Sequence, residues 1–143
     1  MTRTTCNMTP MSGMNTMTVV AWIDPVVEAH GFGPASSYIE ACWLPILGPT
    51  STWLYRRLAM GLLVEDEFEV DLVDLAVSLG LGEGLGKQSP IARAIERLIR
   101  FGAAEAHGQR LLVRRALAPL TTAQLARLSL SSFQAHQRLT GQS

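Results

Sequence analysis

Between Phe68 and Arg115 the chain reads FEVDLVDLAVSLGLGEGLGKQSPIARAIERLIRFGAAEAHGQRLLVRR, and its punctuation leaves few ways to fold. Phe68-Glu69-Val70 alternates apolar and polar side chains, the period of a strand. Asp71 can cap the helix that follows, with Asp74 well placed for the helix dipole. Leu72, Leu75, Ala76 and Leu79 then recur at helical spacing until Gly80 stops the run. After a glycine-rich turn, Ser89 is a good N-cap and Pro90 a good first helical residue. Ile91, Ala94, Ile95, Leu98 and Ile99 form the inward stripe of this second helix, and Gly102 closes it. Ala104, Ala106, Leu111 and Val113 alternate about His107-Gly108, which predicts a hairpin.

The flanks read as further helix. Asp24 with Pro25 at the first position predicts a short helix to His30, and Gly31, Gly33 and Pro34 break the chain. A second short helix is expected from Ala35 to Trp43, burying part of Tyr38, Ile39, Cys42 and Trp43, with Pro45 ending or kinking it. Gly48-Pro49 marks a boundary. Thr50 or Ser51 then caps a stronger helix through about Leu63, with Leu54, Leu58, Ala59 and Leu62 on one stripe and Arg56 and Arg57 off it. Beyond Pro119, Thr122 caps a short helix carrying Leu125 and Leu128. Ser131 or Ser132 caps another, carrying Phe133 and Leu139. These C-terminal helices, about 121–140, either pack on the core or form a homodimer interface. Residues 1–18 are expected to be a disordered tail, or the product of a start assigned too far upstream. Met8, Met11, Met14 and Met17 recur in it every third residue, but Pro10 and Gly13 interrupt any helix. Residues 19–143 then make one domain.

Composition limits function more by exclusion than by assertion. Hydrophobic residues make up 48% of the chain and charged ones 17%, which suits a chain able to build a core. No apolar run reaches the roughly 18 residues of a membrane span, and no basic segment precedes an apolar one at the N-terminus, so the expectation is a cytoplasmic protein without membrane contact. Cys6 and Cys42 are far apart and read as reduced thiols, Cys42 as a small core residue. His30, His107 and His136 are isolated, without metal-ligand spacing. Gly86-Lys87 is followed by Gln88, so the phosphate-loop pattern fails, and Leu85 stands where a dinucleotide fingerprint needs its third glycine. No nucleophile elbow is present. The expectation is therefore a non-enzymatic protein that needs no cofactor.

Charge is the one positive functional signal. The formal net charge is zero, but residues up to 84 carry three arginines against ten acids, whereas the remainder carries nine basic residues against Glu96 and Glu105. Such asymmetry points to nucleic acid or to two faces with different partners. Arg93, Arg97 and Arg100 lie at helical offsets of four and seven, which places all three on one stripe opposite the apolar face. Side chains of this kind neutralise phosphates and donate to guanine edges. Lys87, Gln88 and Ser89 precede that helix, where free backbone N–H groups favour a phosphate oxygen. Arg110, Arg114 and Arg115 flank the hairpin.

DLAVSLGLG followed by ARAIERLIRFG resembles the winged helix-turn-helix superfamily, over about residues 50–115 and with a longer turn, GLGEGLGKQS, than that superfamily usually has. Trp43-Leu44-Pro45 through Gly48-Pro49 is also similar to small uncharacterised actinobacterial proteins. The resemblance implies a mainly α fold with a small β-hairpin, a winged-helix core and helical extensions at both ends. It implies a DNA-binding protein, a transcriptional regulator or nucleic-acid-associated factor. Arg93, Arg97 and Arg100 would lie on double-stranded DNA, with Lys87, Gln88, Ser89 and the hairpin residues Arg110, Arg114 and Arg115 as auxiliary contacts. The alternative is a protein-interaction adaptor with opposed acidic and basic faces, anchored by Trp22, Phe32 or Trp43 where these are not core residues.

Overall fold

The computed structural model describes residues 15–141. Thr16–Trp22 forms a strand, β1, in which Met17, Val19 and Ala21 are buried at every second position. Glu67–Asp71, β2, pairs antiparallel with one side of β1, and Arg110–Arg114, β4, pairs parallel with the other. Ala104–His107, β3, completes an antiparallel hairpin with β4. The resulting four-stranded mixed sheet has the order β2-β1-β4-β3.

That sheet corrects the expected fold class. The chain is α/β, not mainly α with a lone hairpin, and a winged-helix core is not what the topology shows. β1 stands between β2 and the hairpin and takes both of their inner edges. The N-terminal extension therefore contributes a central strand where a helical extension was expected, and residues 16–18, expected within a disordered tail, belong to that strand. Residues 1–14, including Met8, Met11 and Met14, lie outside the described residues. The physical reason lies in TMTVVAW itself. β-Branched residues suit a pleated surface, and a strand with neighbours on both sides, as β1 has over residues 18–20, can pair its backbone groups in both directions.

Seven α-helices are found among the described residues. Pro25–His30, α1, is capped by Asp24, whose carboxylate accepts the Val27 N–H. Gly31 follows it where a Cβ would lie 2.5 Å from the Val27 carbonyl oxygen and 2.7 Å from that of Leu117, so no other residue fits without moving backbone. Ile39–Trp43 is a π-helical turn that runs directly into Leu44–Leu47, α2. Of the two outcomes expected at Pro45, an end or a kink, the helix does not end there. A proline ring clashes with the carbonyl four residues back; the chain widens just before it, with the Leu44 N–H reaching Ile39 O, and the helix continues. Pro49–Leu62, α3, starts at the proline itself behind Gly48, so neither Thr50 nor Ser51 is its cap.

Leu72–Ser78, α4, and Pro90–Arg100, α5, begin on the expected caps, Asp71 and Ser89. Thr122–Leu125, α6, is capped by Thr121 in a reciprocal capping box with Gln124, and Leu130–Thr140, α7, by Ser129. Both caps lie earlier than the sequence spacing suggested. α5 packs on α3 and β3, whereas α4 packs on β2.

The core lies between the sheet and α3. Leu54, Leu58, Ala59 and Leu62 are buried as expected and face the Val19, Leu111 and Val113 side of the sheet. Each buried leucine contributes roughly 1.5–3 kcal/mol of transfer free energy. Ile91, Ala94 and Leu98 close α5 over α3, and Ser51 Oγ donates to Ala94 O at 3.1 Å between them. Ile99, expected inward, is exposed.

Candidate functional site

The sequence singled out two groups of arginines, and the structure separates them. Arg110 and Arg114 lie in β4 and Arg115 just beyond it, facing acids of the first half of the chain. Arg110 pairs with Glu67 across the sheet at 3.4 Å. Arg115 reaches Glu28 at 3.3 Å and Asp66 at 3.2 Å. Arg114 is held most firmly: it pairs with Asp24 at 2.8 Å, donates from Nε to Gly102 O at 2.7 Å, and lies 3.8 Å from the Trp22 ring centroid. Its guanidinium holds the Asp24 carboxyl below the usual carboxylate range, with the Val27 N–H adding to the effect. Three cations of the basic half are thus joined to acids of the other half. At the hairpin tip, His107 is paired with Glu105.

Arg93, Arg97 and Arg100 behave differently. All three are exposed on the outer face of α5, and none has a carboxylate partner among the described residues. Arg97 is anchored rather than loose: it donates to Ile46 O at 3.0 Å and covers the Phe101 ring at 5.5 Å, which fixes the middle of the stripe. With Pro90, Ala94 and Glu96 the three arginines line one wall of a groove of about 400 Å³. The other wall is Leu47, Gly48, Pro49, Thr50 and Ser51, the start of α3. An α-helix leaves its first N–H groups without intrahelical acceptors. Gly48 has no side chain to cap them, Thr50 and Ser51 of this first turn line the groove, and the helix dipole adds positive potential there.

Lys87 and Gln88 are exposed in the turn before α5. Ser89 is occupied as the cap, accepting the Ala92 N–H and donating to Gly86 O at 2.6 Å. The glycine-rich turn is tied down, since Leu79, Leu81 and Leu85 pack against the core.

Two features of this surface escaped the sequence reading. One is the α3 start, hidden because Thr50 and Ser51 looked like caps. The other is Trp53, which is 59% exposed, with the Arg56 guanidinium 5.0 Å from its ring centroid. Its signal was available, because Trp53 falls off the Leu54, Leu58 and Leu62 stripe. Of the aromatic anchors considered instead, Trp43 is buried with its Nε1 donating to Ala118 O, Phe32 stacks on Tyr38, and Trp22 lies under Arg114.

Among the described residues no group of three or more histidine, cysteine, aspartate or glutamate side chains could hold a metal ion. No helix of the described residues is long and apolar enough to cross a membrane. No family model matches the chain, and neither curated proteins nor solved structures include one that is similar to it.

Proposed function

We propose that this chain binds double-stranded DNA through the outer face of α5 and the adjoining start of α3, without catalysing a reaction. The observation that carries this reading is the contrast between the two arginine groups. Arg110, Arg114 and Arg115 are engaged by acids, whereas Arg93, Arg97 and Arg100 form one stripe without a carboxylate partner among the described residues, beside a helix start that has no side-chain cap. Guanidinium groups beside the positive end of a helix dipole match phosphate oxygens. Lys87 extends the same positive surface. A role as a transcriptional regulator or nucleic-acid-associated factor suits a protein that holds DNA by a local patch.

The adaptor alternative, with opposed acidic and basic faces, has less support, because the β4-side arginines and the acids facing them neutralise one another. Contact between two copies through the C-terminal helices is favoured by Leu130 and Phe133, which α7 leaves exposed while burying Ala135 and His136.

Fluorescence anisotropy with a random blunt duplex at low salt tests the DNA reading. Native protein should bind, and Arg93→Glu/Arg100→Glu should bind at least about tenfold more weakly, as expected when phosphate contacts become repulsive. Arg97 is left intact in this variant because it also supports Ile46. Equal binding by both proteins, or no binding by the native chain, would sink the proposal.

A further inference from the structure

The arginine groove does not end at the start of α3. A second groove, of about 350 Å³, shares Pro49 and Thr50 with it and continues along Trp53, Arg57, Ser78, Leu79 and Leu81. The two grooves therefore meet around the first turn of one helix, with cations in the first and an exposed indole in the second. Trp53 lies four residues beyond Pro49, a rise of about 6 Å along the axis. The Arg56 guanidinium covers the indole at 5.0 Å, and Arg57 is fixed beside it by donating to Ser78 Oγ at 2.8 Å. The carboxylate along the first groove is Glu96, and none lines the second.

Core packing does not explain an indole left this exposed between two arginines. A closed duplex does not use it either, since bases inside a stack offer no free face. We infer that the surface takes DNA in which a duplex meets an unpaired base, with the phosphates in the arginine groove and the base stacked on Trp53. Aromatic side chains stack on any base, so the preference is for an unpaired end or extruded base and not for a sequence. This inference rests on the DNA-binding reading proposed above and names the form of DNA that the same site prefers.

The test compares three ligands, a blunt duplex, the same duplex with a short oligothymidine overhang, and the oligothymidine alone, in anisotropy and tryptophan-quenching titrations. Native protein should bind the overhang duplex about tenfold more tightly than the blunt one, with quenching only where unpaired bases are present. Trp53→Ala should lose that difference while binding blunt duplex as native does, and Trp53→Phe should retain part of it. Arg93→Glu/Arg100→Glu should weaken all three ligands. Equal affinity of native protein for blunt and overhang duplexes overturns the inference and leaves the DNA reading standing. So does a shift from dimer to monomer in Trp53→Ala with DNA binding unchanged, which would assign the indole to a second copy. Failure of native protein to bind any of the three removes both. Circular dichroism of each variant confirms that it is folded.

Discussion

At the scale of single residues, the two tyrosines of the chain make opposite use of burial. The Tyr38 hydroxyl accepts the Leu120 N–H at 2.9 Å and lies 2.7 Å from His136 Nδ1, tying the π-helical turn to α7 and to the segment that precedes α6. The Tyr55 hydroxyl is buried under α3 with no partner among the described residues. Removing a hydroxyl that satisfies others leaves those groups unpaired, whereas removing an unsatisfied one relieves a desolvation penalty. Tyr38→Phe should therefore lower stability by about 2–3 kcal/mol, and Tyr55→Phe should be neutral or stabilising by up to about 1 kcal/mol. Urea denaturation midpoints measure both.

Burial pushes both phenols above their ordinary pKa, Tyr55 the further. A raised folded pKa means that the associated stability is complete below the unfolded value, about 10, and is lost as pH climbs toward the folded value. Phenolate absorption should thus be absent when pH first passes that ordinary value and should rise together with alkaline unfolding. A phenolate signal from folded protein at the ordinary tyrosine pKa would contradict the placement of both rings.

Asp24 works in the other direction. Its pKa is depressed chiefly by Arg114, so its contribution is present above the ordinary value of 3.8 and disappears as pH falls through the lower folded value. In Arg114→Ala the acid limb of the stability curve should be flatter. At neutral pH that variant should lose about 1–3 kcal/mol through the Gly102 and Trp22 contacts alone. Arg110→Ala, whose pair is exposed, should stay within about 0.5 kcal/mol of native. None of these pairings was legible in sequence, because Asp24 and Arg114 are ninety residues apart and read locally as a cap and a hairpin arginine.

At the scale of elements, legibility followed locality. Asp71, Ser89 and Pro90 announce α4 and α5 because caps act within three or four residues, and both helices start where the spacing puts them. The hairpin about His107-Gly108 is local in the same way. β1 was invisible for the opposite reason. Its partners are β2 and β4, and a short run such as MTVVAW carries no turn signal that ties it to either. Without that strand a helix–strand–helix–helix–hairpin order reads as a mainly α unit, so these seven residues decide the fold class.

The same strand supplies a sharp test. Removing residues 1–23 should abolish cooperative unfolding, because β2 and β4 would both lose their inner partner and expose unpaired edges. In native protein, β1 amides should exchange with deuterium more slowly than those of the edge strands β2 and β3. A truncated chain that still melts cooperatively would show β1 to be dispensable.

At the scale of the whole molecule, a chain with zero net charge can bind a polyanion only if its charges are sorted in space. Along the sequence they are sorted by halves, and that was the legible part of the candidate site. Folding undoes part of it, since β4 runs parallel to β1 and brings Arg110, Arg114 and Arg115 against Glu67, Asp24, Glu28 and Asp66. What survives is the α5 face with Lys87, a patch of three arginines and one lysine. The salt dependence of binding should report that residue count directly. Each phosphate neutralised on duplex DNA contributes about −0.9 to the slope of log affinity against log salt. Four contacts predict a slope of roughly −3 to −4 for native protein, and Arg93→Ala/Arg100→Ala should reduce it by about 2. If all nine basic residues of the second half took part, the slope would be near −8. A native slope of that size would mean that the β4-side ion pairs open on DNA. A slope unchanged in the double alanine variant would place the contact away from α5.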